Sequence, residues 1–173
     1  MNTKVRNIVY CALLAALGAI FSAFFSIEIP VGATKLVEIS LTPVFVMIAG
    51  ILFGPLLGAA VGFVADTTGF FMGVQHGAYN PIFSISMALF GLIAGLIFLK
   101  NNKSEWVKVL IAIVVAQIVC SMLINTYAIH FFYGVPFKVL FAPRIISALI
   151  EMPIYYVVMM ALLKAIRPLI NRN

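Results

Sequence analysis

LTPVFVMIAGILFGPLLGAAVGFVADTTGFF, residues 41–71, decides the fold. It is apolar almost throughout, yet Gly54 and Pro55 interrupt it at the centre, and that pair ends regular structure more often than it continues it. Each half is short against the roughly 20 apolar residues that cross a bilayer core about 30 Å thick. The stretch is therefore either two brief spans or one re-entrant hairpin. Two spans are the better reading, because only an even total of spans puts both basic ends of the chain on one side.

Outward from this stretch the same ruler finds four further segments. With Leu41 to Phe53 and Leu56 to Phe71, the set is Asn7 to Phe25, Pro81 to Leu99, Val107 to Phe132 and Pro143 to Leu163. Of the 173 residues 64% are hydrophobic and 9% are charged, against about 25% charged for an average soluble domain. The expectation is an all-α membrane protein of six transmembrane helices in a single domain over residues 1–173. The first segment follows Lys4 and Arg6 as a signal peptide would, but its apolar run continues to Phe25 without a convincing cleavage site, so it reads as a retained helix.

Net charge is +6, but the basic residues sit at segment ends and not in a continuous patch with interleaved aromatics, which speaks against nucleic acid. With both termini cytoplasmic, Lys4, Arg6, Lys100, Lys103, Lys108, Lys164, Arg167 and Arg172 fall on the inside, as the positive-inside rule expects. Lys35, Lys138 and Arg144 then lie outside or embedded, together with Glu28, Glu38, Asp66 and Glu151. The connection from Ser26 to Ser40 is long and alternates apolar with polar residues, so it reads as a structured flap over that outer region.

Uncommon polar residues gather at the same end. Asp66 follows Gly54, Gly58 and Gly62 at four-residue spacing, on one stripe of a helix that glycines allow another helix to approach. It is either bonded to a neighbouring hydroxyl or turned to a ligand. Arg144 and Glu151 share a helix face, seven residues and about 10 Å of rise apart, too far for direct pairing. Pro143 before Arg144 reads as the first position of that helix, which would put the arginine at the membrane surface, either on a headgroup or on a ligand. Gln75, His76, Tyr79 and Asn80 precede the fourth span, and Asn125, Thr126, Tyr127 and His130 end the fifth; interfacial and capping roles compete with ligand contact for them. Phe70, Phe83 and Phe132, beside polar loops, are candidates to stack on a flat ligand. Span one carries small-residue ridges, Ala12 and Ala16 on one and Ala15, Ala19 and Ala23 on another, that admit a close helix from this chain or a different one.

The two cysteines, Cys11 and Cys120, lie in apolar segments without metal spacing. No P-loop, nucleophile elbow or H-E-x-x-H occurs. An enzyme, a resident metal and a cofactor are not expected, and no internal repeat points to a self-sufficient secondary transporter.

FGPLLGAAVGFVADTTGF at 53–70, GAYNPIFSISMALFGLIAGL at 77–96, and PR followed by EMP at 143–153 resemble the substrate-binding S components of bacterial energy-coupling factor (ECF) vitamin transporters. The similarity runs over essentially the whole chain and is greatest to the folate-specific branch. The departure is Ile82, where that branch has a glycine after the proline. The resemblance implies a multi-pass protein of the bacterial cytoplasmic membrane that captures folate outside, with ATP hydrolysis in separate partners: the transmembrane coupling subunit EcfT, against which Ala12 and Ala16 would dock, and two ATPase subunits. In that setting Asp66 or Glu151 would accept from the pterin ring. Arg144, with Lys35 or Lys138, would meet the glutamate carboxylates. Phe70, Tyr79 and Tyr127 would sandwich the ring, and Gln75, His76, Asn80 and Asn125 would add polar contacts. Alternatives are an S component for thiamine, riboflavin or biotin, a self-contained secondary transporter, or an assembly subunit without ligand.

Overall fold

The computed structural model describes residues 3–31, 34–73, 79–99 and 104–171. Along the chain, α1 (Thr3–Phe24) leads into an antiparallel hairpin of β1 (Ile27–Val31) and β2 (Thr34–Ile39). Then come α2 (Thr42–Phe53), α3 (Pro55–Met72), α4 (Pro81–Leu99), α5 (Glu105–Ala116), a π-helical segment (Gln117–Asn125), α6 (Thr126–Tyr133) and α7 (Phe137–Asn171).

Among the described residues, five helical stretches are long and apolar enough to cross a membrane: Lys4–Phe24, Pro55–Met72, Pro81–Leu99, Glu105–Tyr133 and Phe137–Ile166. The sixth expected span, α2, has 12 residues and at 1.5 Å per residue rises only about 18 Å. It is the core of the molecule. Every residue from Thr42 to Gly50 is buried, which is why its sequence is apolar all round and shows no polar face.

Gly54 makes the break between α2 and α3 with φ of 99°, a conformation that favours glycine. It therefore belongs to the turn and not to the glycine stripe expected from the spacing. The stripe itself begins at Gly58. A Cβ there would lie 2.5 Å from Gly50 Cα, and one on Gly95 2.5 Å from Pro55 Cα, so α2, α3 and α4 meet backbone to backbone. α1 joins this layer through its second ridge. Ala15 and Ala19 are buried, and a Cβ on Gly69 of α3 would strike Ser22 Cβ at 2.7 Å. Ala12 and Ala16 lie on the opposite, exposed side of α1.

The flap is the β hairpin, paired Ile27 with Ile39 and Glu28 with Glu38, with a shift in register between Ile29 and Pro30. Its exit is tied down by a chain of hydrogen bonds. Tyr155 Oη donates to Ser40 O at 2.7 Å, Ser40 and Thr42 hydroxyls lie 2.8 Å apart, and Thr42 Oγ1 donates to Gly18 O at 3.0 Å. Ile39 also packs beside Ile129 and Leu140, so the hairpin sits at the end of the bundle where α6 stops and α7 starts.

α7 begins six residues earlier than Pro143 suggested, at Phe137. Pro143 is accommodated inside the helix, where its ring nitrogen has no hydrogen to give to Val139 O. The consequence is positional. Arg144 stands two turns into the helix and is buried, 6% exposed, instead of resting at the membrane surface.

Candidate ligand-binding site

The first three polar positions of the site come from one irregular element. Over Gln117–Asn125 the helix widens to π geometry, with bonds reaching from i to i+5, and such segments recur where function needs side chains re-aimed. Gln117, Ser121 and Asn125, four residues apart, all line one cavity. The widened turn also offers carbonyls to other helices: Ser86 Oγ donates to Cys120 O at 3.3 Å, and Arg144 Nη1 to Ser121 O at 2.5 Å. Thr126 Oγ1 donates to that same Ser121 carbonyl at 3.2 Å.

α7 supplies the opposite wall. Arg144, Ser147, Glu151 and Tyr155 line the cavity, spaced so that one helix face carries them. Glu151 is 5% exposed and accepts a hydrogen bond from Gln117 Nε2 at 2.6 Å; Gln117 is itself 1% exposed. A carboxylate and an amide this far from water are costly unless they satisfy one another. Arg144 lies about 10 Å along the axis from Glu151, toward the hairpin end. The remaining walls are Ser40 and Pro43 at the start of α2, Asp66 of α3, Glu38 of the hairpin, and Phe83, Met87 and Phe90 of α4.

The cavity is about 80 Å³ and partly open to the outside, whereas vitamin-sized ligands occupy pockets of about 300–1,000 Å³. The hairpin, held at its exit by a few hydrogen bonds, is the wall with least helical backing.

Of the residues singled out in the sequence, the cavity brings together Glu38, Asp66, Phe83, Asn125, Arg144 and Glu151. Asp66 lines the cavity, and its Oδ2 accepts from the neighbouring hydroxyl of Ser84 at 2.7 Å. That serine hydroxyl is 2.9 Å from Tyr79 Oη, and Thr67 Oγ1 is 3.1 Å from the same phenol. Tyr79 thus supports the acid from behind. Phe70 packs against Tyr79 with ring centroids 5.3 Å apart, and neither ring is among the cavity's walls. The aromatic residues lining the cavity are Phe83, Phe90 and Tyr155.

Asn80 takes the capping role at the start of α4, its Oδ1 accepting from Ile82 N at 3.0 Å. Tyr127 is 61% exposed and lines a separate apolar groove with Phe131, Phe132, Phe137 and Phe141. His130 closes the end of α6, with Nδ1 2.9 Å from Val135 O and its ring 4.0 Å from that of Phe137. Lys35 lies in β2, its backbone paired with Pro30. Gln75 and His76 lie outside the described residues. Among the described residues no three His, Cys, Asp or Glu side chains come together as a metal site.

Sequence reasoning missed Gln117, Ser121 and Tyr155. For Gln117 the signal was present, a lone amide within the apolar run VVAQIVC, since a polar side chain inside a span usually faces the bundle interior. For Ser121 and Tyr155 nothing in the pattern separated them from ordinary helix residues.

The cavity offers two anchors of opposite kind, a guanidinium and a buried amide–carboxylate pair, with the rings of Phe83 and Phe90 on its α4 wall. Known proteins resemble this chain over most of its length. Residues 2–168 match the family model described as ECF-type riboflavin transporter, S component. The folate transporter FolT of Clostridium novyi (strain NT) is 31% identical over 155 residues, covering 90% of this chain and 86% of that protein. FolT of Streptococcus mutans serotype c is 28% identical, covering 87% and 82%. A crystal structure of FolT bound with folic acid superposes with a TM-score of 0.76 at 25% identity over 93% of each chain. The S component of a bacterial ECF transporter shares the fold at 22% identity, with a TM-score of 0.71 over 96% of this chain and 98% of the other. With a family model spanning nearly its full length and a relative at 31% identity, the chain belongs to the S components of ECF-type transporters.

Proposed function

We propose that this S component is one membrane domain over residues 1–173, with both termini cytoplasmic in a bacterial membrane. It captures folate from outside and hands it on when a coupling subunit of the EcfT type and two ATPase subunits act. The observation that carries this reading is the pairing of two unlike anchors in one cavity, Arg144 near the hairpin and the Gln117–Glu151 pair one and a half to two turns deeper. Folate is elongated, with a flat hydrogen-bonding ring at one end and carboxylates at the other. A carboxylate accepting from the pterin amino and ring N–H groups suits Glu151, with Asp66 nearby. A guanidinium is the group of choice for the anionic end. The names of the curated relatives support the same ligand.

The second reading is riboflavin, favoured by the description of the matching family model. Riboflavin shares a flat fused ring but has no carboxylate, so it would leave Arg144 without an anion to meet. The deciding experiment is to purify the protein from cells grown with mixed vitamins and identify the co-purifying molecule by mass spectrometry. Folate is the expected result; riboflavin in its place, or no small molecule even after added folate, overturns the folate reading.

A further inference from the structure

Among the described residues, three buried side-chain nitrogen or oxygen atoms have no hydrogen-bond partner: Arg6 Nε, Asn125 Oδ1 and Arg144 Nε. The last two belong to residues lining the same cavity. One is an obligate donor and the other an acceptor. Buried polar atoms are nearly always satisfied, and an exception calls for a physical account. Arg144 Nη1 is committed to Ser121 O, and Asn125 is the last residue of the π segment that supplies that carbonyl. The edge of the guanidinium that includes Nε is therefore held in place and left over.

We propose that Arg144 Nε and Asn125 Oδ1 together read an N-acylated amino-acid end of the ligand: a carboxylate oxygen on the guanidinium edge, and the adjoining amide N–H on the asparagine oxygen. The inference rests on the folate reading above and deepens it, since it makes Asn125 a specificity residue for the glutamate end. An unpartnered acceptor lining the same cavity as the arginine favours a ligand that brings a donor next to its anion. That selects acylated amino acids over simple dicarboxylates. The position agrees, because both residues lie on the hairpin side of Gln117 and Glu151, where the tail of a ligand with its ring at Glu151 would reach.

The test is calorimetric titration of the purified full chain with folate and with 6-hydroxymethylpterin, which carries the ring and has neither the amide nor a carboxylate. Asn125→Ala is expected to weaken folate about tenfold, the scale of one lost hydrogen bond, and to leave the neutral pterin unchanged, which also shows that the variant is folded. Should that variant fail to fold, Asn125→Asp keeps the shape and sets a negative charge beside the ligand's own, and it is expected to weaken folate selectively. Equal losses for both ligands, or no loss for either, overturn the inference while the folate reading stands. No folate binding by the unsubstituted protein overturns the reading itself, and the inference with it.

Discussion

Arg144 is buried two turns inside α7, and its environment is what makes it informative. Desolvating a guanidinium is costly unless its donors are used, and Arg144 Nη1 donates to a carbonyl of the π segment, Ser121 O, while Nε has no partner. An anion from the ligand would complete it. Arg144→Ala is accordingly expected to weaken folate by about 10- to 100-fold, the range of a hydrogen bond to a charged group, and to weaken a pterin without the glutamate tail much less. Equal losses in the two titrations would assign the arginine to holding the π segment instead. The sequence marked this residue and Glu151 by their rarity within apolar runs, and it could not mark Gln117 as the partner of Glu151, since the two are 34 positions apart.

At the scale of elements, the glycine seam between α2, α3 and α4 decides how close the helices that frame the cavity can stand. Without a hydrophobic drive between helices in lipid, tight packing of small residues carries the association. Gly58→Val would set a side chain where the first carbon already meets Gly50 backbone at 2.5 Å. Backbones cannot yield as a flexible side chain can, so destabilisation of about 1–3 kcal/mol or more is expected, read as a lower Tm in detergent and a loss of folate binding as α3 moves Asp66. An unchanged Tm would mean that the seam is looser than these distances imply. Spacing in the sequence revealed the stripe from Gly58 onward, but it also enrolled Gly54, which the positive φ assigns to the turn. Period alone does not tell a helix residue from the break that precedes it.

At the scale of the whole molecule, α1 presents two different faces. One ridge, Ala15 and Ala19, is used up against α3, whereas Ala12 and Ala16 remain exposed beside Leu13 and Leu17. A partner helix is the natural occupant of a small-residue ridge that the chain itself leaves uncovered, and in the proposed transporter that partner is the coupling subunit. Ala12→Trp is expected to leave folate affinity within error of the unsubstituted protein and to reduce uptake in cells to background. If the variant still co-purifies with the coupling subunits and transports normally, the ridge faces lipid. The cavity and this ridge are separate surfaces, so a selective loss of one activity is a meaningful readout.

By itself the sequence determined that the chain is a membrane protein and roughly where its helices run. Those are local properties, since hydropathy over about 20 residues is set by chain neighbours and the bilayer imposes the same ruler on every segment. Only the tertiary structure decided that α2 is a short helix buried on all sides, that α7 starts at Phe137, that the helix widens at Gln117–Asn125, and which polar side chains share a cavity. These depend on contacts between distant parts of the chain, such as Tyr155 with Ser40 across 115 positions, and the energy of such a contact is written in neither partner's neighbourhood.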